Sequence, residues 1–198
     1  DLLVAEGLAL KNYQFLKYFS DKDEKANSLN DAFLMNVSEE DASELEVLIG
    51  AVLYSRDLIN LPVWDLNAEG LADEAKMSAK RSGFKIDVLN KKKIESLKMG
   101  GVLAVNKGSI DPPTFIIMEH KPKNAKNQKP IELVGKGVVY DTGGLSLKPT
   151  TSMDDMKCDM SGAAAVMGAL QAVATNKLPY HVIGLVPATD NRPGGNAV

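Results

Sequence analysis

The sequence predicts an α/β fold, with a mixed, mostly parallel sheet covered by helices on both faces. A remnant of a smaller α/β N-terminal domain is expected to precede it. Three observations predict this. From residue 66 onward, helix-like stretches alternate with short apolar runs, the rhythm of an α/β sheet. Runs such as "TFIIMEH" (114–120) and "YHVIGLVPAT" (180–189) are largely apolar, as strands buried on both faces are. Of the 198 residues, 44% are apolar and 25% charged, enough apolar material for a real core.

In chain order, residues 2–19 read as a helix and residues 20–31 as a polar loop. "AFLMNV" (32–37) reads as a short strand. Ser38 followed by Glu39, Glu40 and Asp41 is a helix start, a serine cap with acids in the first turn. That helix carries an apolar stripe of Leu45, Leu48, Ile49, Val52 and Leu53 and ends at Leu61–Pro62, because the residue before a proline disfavours the helical region. Asn67 is placed as the cap of a helix through Ser82, which Gly83 stops. Residues 84–90 read as a strand, 91–99 as a short helix, and "GVLAVNKG" (101–108) and 114–120 as strands. "IELVGKGVVYD" (131–141) reads as one strand or a pair, 161–177 as an alanine-rich helix, and 180–189 as a buried strand. The expected organisation is a domain remnant at 1–37, a linking helix at 38–60, and an incomplete second domain at 61–198. Asp1 at one end and "RPGGNAV" at the other both read as cuts.

A net charge of −3 leaves no large electrostatic footprint for nucleic acid. Lys91–Lys93 and the group Lys121, Lys123, Lys126 and Lys129 read as solvated turns. No apolar run approaches the roughly 18 residues of a membrane span. A single cysteine, Cys158, points to a reducing compartment, the cytoplasm.

Asp141 follows the apolar run Val138–Tyr140, so it stands at the carboxyl end of a strand, where open α/β sheets bind ligands. Gly143 and Gly144 let the backbone turn tightly there. Asp159 opens the alanine-rich helix, as its cap or as a ligand. Asp154, Asp155 and Asp159 beside Asp141 concentrate negative charge, which hard divalent cations commonly balance. Lys136 and Lys148 flank Asp141. Positions 136 and 141 would face opposite ways on a regular strand, and a bulge at Gly135 or Gly137 is expected to correct that. A lysine beside a metal can serve as a neutral ligand or, protonated, polarise a carbonyl. These four residues are expected to converge at the carboxyl ends of the strands. "GKG" lacks the spacing of a phosphate-binding loop, and His120 and His181 are lone histidines.

Taken together, "VGKGVVYDTGGLSLKP" (134–149) and "MDDMKCDMSGAAAV" (153–166) resemble the leucyl aminopeptidase (cytosol aminopeptidase) family. The resemblance extends through "SRDLINLP", "LADEAK", "GGVLAVNKGSIDPPTFIIMEH" and "VPATDNRPGGNA". It implies a metallo-exopeptidase that releases N-terminal residues, with a leucine-type preference, from peptides with a free amino terminus. It implies two divalent metal ions, zinc or manganese. Lys136 and Asp159 would bind one and Asp141 would bridge both. Lys148 would stabilise the oxyanion, and Met156 would line the pocket for the first side chain. It also implies a hexamer. The family's remaining ligands, in an "NTDAEGR" stretch, are expected beyond Val198. Two alternatives are a catalytically incomplete chain acting as a binding module and another two-metal hydrolase such as a phosphoesterase. A phosphoesterase would call for histidine or further carboxylate ligands and basic phosphate-binding groups, of which few are present.

Overall fold

The computed structural model describes residues 1–197; the end of the third expected unit, Val198, lies outside the described residues. The elements are α1 (Leu2–Lys11), α2 (Lys22–Lys25), α3 (Glu39–Asn60), α4 (Ala68–Ser82), β1 (Lys85–Leu89), α5 (Lys91–Ser96), α6 (Gly100–Asn106), β2 (Thr114–His120), β3 (Ile131–Val134), β4 (Gly137–Asp141), α7 (Thr150–Met153), a 3₁₀ helix (Met156–Met160), α8 (Ser161–Thr175) and β5 (Val182–Asn191).

Local chemistry sets several of these boundaries. The Ser38 hydroxyl accepts from Asp41 N at 3.1 Å and opens α3. The Asn67 side chain accepts from Gly70 N at 2.9 Å and opens α4, and Gly83 closes it in the left-handed region at φ 82°. Asn90 caps α5 through Lys93 N.

The sheet runs β1-β2-β5-β3, with β4 also on β5. β1 and β2, and β2 and β5, pair antiparallel; β3 and β4 pair parallel to β5. The mixed α/β class is as expected, while strand sense is divided evenly rather than mostly parallel among the described residues. β3 and β4 lie end to end along one side of β5: β3 pairs with its residues 182–185 and β4 with residues 188–191.

One sheet face carries Ile116, Met118, Val182, Val186 and Ala188. It packs against Leu71 and Ala75 of α4 and Met167 and Leu170 of α8 in one core. The other face carries Phe115, Ile117, Ile183 and Leu185, all half-buried. Thr189, on that face by alternation, is reached by Asn106 of α6. Leu170 is fully buried. Leu170→Ala is expected to cost about 2–5 kcal/mol, from lost transfer energy plus a cavity that its neighbours cannot fill. Urea unfolding of the two proteins measures it, and a neutral result would contradict the packing described.

Three expectations fail for physical reasons. The helix over 2–19 stops at Lys11. Beyond it the side chains bond elsewhere: Tyr13 to Asp57, Tyr18 to Asp65, and Asn12 and Gln14 to the 25–29 segment. These contacts draw the chain out of the helix. The strand over 32–37 is absent because no neighbour pairs with it; Phe33 is 92% exposed. "GVLAVNKG" forms helix α6 rather than a strand. A short apolar run does not distinguish the two, and buried Asn106, bonded to the Asp111 carbonyl and the Thr189 hydroxyl, fixes the outcome.

Candidate active site

The site begins with a proline. Leu185 and Asn191 of β5 turn their carbonyls to the β3–β4 side, accepting from Gly135 N and Thr142 N, each at 2.9 Å. By alternation Pro187 faces the same side, and it has no N–H to give. Val134 stands opposite Leu185 and Gly137 opposite Ala188, so Lys136 falls opposite Pro187 and the ladder breaks there. The Lys136 carbonyl turns instead to the start of α8 and accepts from Ala163 N at 2.9 Å, one of the amides a helix leaves unpaired at its first turn. A Cβ on Gly135 would lie 2.5 Å from the Gly162 carbonyl oxygen, and one on Gly162 would lie 2.9 Å from Lys136 N. The two backbones touch only because both residues are glycine.

From that junction the Lys136 ammonium donates to Asp159 Oδ1 at 2.7 Å. Lys136 is 58% exposed at its side chain and Asp159 only 18%. Asp159 does not cap α8. It sits in the 3₁₀ turn before it, and Met160 occupies the cap position without a side-chain bond. The other oxygen of Asp159, Oδ2, is buried with no hydrogen-bond partner.

The bulge that parity requires is present, but it lies between Val138 and Asp141 rather than at Gly135 or Gly137. Val138 pairs with Thr189 and Asp141 with Asn191, three positions against two. That extra residue sets Asp141 beside Asn191, on the face to which Lys136 belongs by register. Asp141 Oδ1 accepts from Gly143 N at 2.9 Å and from Asn191 Nδ2 at 2.8 Å. Oδ2 accepts from Lys148 Nζ at 2.6 Å. Gly143 and Gly144 take φ of 89° and 68°, which folds the loop so that Lys148 returns to Asp141. Lys148 N also donates to the Thr142 carbonyl at 2.9 Å. Lys148 Nζ lies 3.0 Å from Met156 Sδ, which brings Met156 to the same corner.

Burial alone would raise the Asp141 carboxyl. The Lys148 hydrogen bond, the Gly143 N–H, the Asn191 amide and the Lys148 charge outweigh it and hold the group below its ordinary value.

The five residues singled out by sequence therefore form two groups. Lys136 pairs with Asp159 at the opening of β4, and Lys148 pairs with Asp141 and Met156 at its carboxyl end. Both groups flank β4, with Lys136 just past the carboxyl end of β3 and Asp141 at the carboxyl end of β4. Asp154 and Asp155 are exposed and join neither group. Among the described residues no three His, Cys, Asp or Glu side chains are grouped to hold a metal ion. The donors present are two carboxylates and an amine, and carboxylate oxygens suit divalent cations. The orphaned Asp159 Oδ2 fits such an ion, because a buried carboxylate oxygen without a partner is costly and a cation would satisfy it. Sequence reasoning missed Asn191. Its signal was a polar Thr189-Asp190-Asn191 ending on an apolar strand, the place where α/β sheets bind ligands.

These features define an α/β protein with its candidate site at the end of a parallel strand pair. The chain belongs to the cytosol aminopeptidase family: residues 53–198 match the model of that family's catalytic domain. The probable cytosol aminopeptidase of Chlorobaculum tepidum is 58% identical over 152 residues, covering 76% of this chain and 30% of that protein. The probable cytosol aminopeptidase of Chlorobium limicola is 45% identical over 206 residues, covering 97% of this chain and 41% of that protein. Among solved structures, the bottromycin maturation enzyme BotP in complex with Mn superposes with a TM-score of 0.89 at 34% identity, over 99% of this chain and 41% of that one. The leucine aminopeptidase of Caenorhabditis elegans gives a TM-score of 0.86 at 31% identity, over 98% of this chain and 39% of that one. The chain thus spans between 30% and 41% of the length of these relatives.

Proposed function

We propose that the complete polypeptide is a metal-dependent aminopeptidase of the cytoplasm. It releases N-terminal residues, with a leucine-type preference, from peptides whose amino terminus is free, and it works as a hexamer. The observation that carries the reading is the unpartnered, buried Oδ2 of Asp159 in a chain of this family. Lys136 and Asp159 would hold one divalent ion and Asp141 would bridge to a second, zinc or manganese; the structure of BotP was solved with Mn. When bound, such ions would polarise the scissile carbonyl and lower the pKa of an attacking water.

The chain's own residues do the rest. Lys136 can act as a ligand only as a neutral amine, since an ammonium has no lone pair. Lys148, as an ammonium held beside Asp141 Oδ2, would stabilise the oxyanion of the tetrahedral intermediate. Met156, against Lys148, would form part of the wall facing the substrate's first side chain. No helix among the described residues is long and apolar enough to cross a membrane.

The test is hydrolysis of a leucyl peptide by the polypeptide at its relatives' full length. Dialysis against a chelator should abolish it, manganese or zinc should restore it, and N-acetylated peptide should resist. Hydrolysis that survives metal removal would defeat the reading. Lys136→Ala should lose one equivalent of metal first and recover part of its activity in excess metal. Metal analysis with a leucyl anilide assay checks this, and an unchanged metal content would remove Lys136 from the ligand set.

A further inference from the structure

An aspartate that serves two cations must present both oxygens in a fixed plane. Nothing in its own side chain does this, since the last torsion of an aspartate is broad and roughly two-fold. Asp141 Oδ1 has two donors that could fix it. Gly143 N, at 2.9 Å, belongs to the same turn and moves with Asp141. Asn191 Nδ2, at 2.8 Å, comes from the end of β5, fifty residues away in sequence. Among the described residues, Asn191 is the donor to Oδ1 that comes from outside that turn, and it ties the plane of the carboxylate directly to β5.

Asn191 is itself well held. Its carbonyl accepts from Thr142 N at 2.9 Å and Thr142 Oγ1 at 2.8 Å. Its amide oxygen occupies the space beside Gly144, where a Cβ would come within 2.9 Å. The amide has one workable orientation, because an ionised carboxylate only accepts and the NH₂ must face it. The β4 bulge is what sets Asn191 and Asp141 side by side.

We propose that Asn191 is a positioning residue for the metal centre. It holds the Asp141 carboxylate in the plane that two cations require, and so sets metal affinity without touching metal or substrate. This rests on the reading of Asp141 as a metal ligand. Partners that orient metal ligands typically contribute about 10–100-fold in metal affinity.

The experiment uses the full-length polypeptide. Mn²⁺ and Zn²⁺ are titrated against a fluorescent chelator for wild type, Asn191→Ala and the near-isosteric Asn191→Leu. The thermal midpoint of each metal-free protein is measured alongside. Both variants should bind metal about 10–100-fold more weakly, with metal-free midpoints close to wild type. At saturating metal, kcat should return towards wild type with KM unchanged. Wild-type metal affinity in both variants would overturn the proposal while leaving Asp141 a ligand. Weaker binding matched by a collapsed metal-free midpoint in both would mark Asn191 as merely structural, and overturns it too. Failure of wild type to bind either ion would remove the metal reading itself, and this inference with it.

Discussion

Asp141→Asn in the full-length polypeptide is expected to reduce hydrolysis of a leucyl anilide to background and to lower the bound metal, without recovery in excess metal. The substitution keeps the shape but replaces one carboxylate oxygen by an NH₂. An amide nitrogen is a donor, not a metal ligand, so a residue placed to bridge two ions can no longer serve both. In one orientation the new NH₂ also meets Lys148 Nζ, whose partner Oδ2 now stands at 2.6 Å, donor against donor. In the other it meets Gly143 N and Asn191 Nδ2. Full metal occupancy with normal turnover in this variant would end the bridging assignment. The pH behaviour follows with its sign. The Asp141 carboxyl is held below its ordinary value of 3.8. Its contribution to stability is therefore complete above that value and disappears as pH falls through the lower folded one. An activity loss near neutral pH must arise from some other group.

Lys148→Ala is the second large expectation. The Lys148 ammonium lies at the mouth of the glycine loop, bonded to Asp141 Oδ2 and to the Asp141 carbonyl at 3.1 Å. If it stabilises an oxyanion, its loss should lower kcat by about 10²–10³ while metal binding changes much less. Lys148→Arg should restore only part of the rate, because a planar guanidinium presents its donors differently. Steady-state kinetics beside a metal titration separate this from Lys136→Ala. Rescue of Lys148→Ala by added metal, with no rescue of Lys136→Ala, would exchange the two roles.

What could be read from sequence was what local chemistry decides. Ser38, Asn67 and Gly83 cap their helices with their own side chains or backbone, so those boundaries were legible. The break between β3 and β4 was half legible. Parity between positions 136 and 141 demands one irregularity but does not locate it, and the glycines beside Lys136 drew it to the wrong end. Those glycines serve a different contact, the approach to Gly162, which only the folded chain reveals. Tyr13 and Tyr18 looked helical because their anchors, Asp57 and Asp65, are more than forty residues away. In the candidate site, the aspartates and lysines were visible as an excess of charge among apolar neighbours. Asn191 was not, because a neutral amide at a strand end gives no comparable signal.

The bare contact between Gly135 and Gly162 has a mechanical consequence. No side chain lies between the strand junction and the start of α8, so the joint contains no soft layer that rotamer changes could compress or shear. Lys136 leaves one side of that joint and Asp159 stands two residues before α8 on the other. Thermal motion then carries the two side-chain bases together as parts of one stiff body. If Lys136 and Asp159 close on one ion, such a mount helps, since the backbone disorder they would otherwise surrender on capture is already lost when the chain folds.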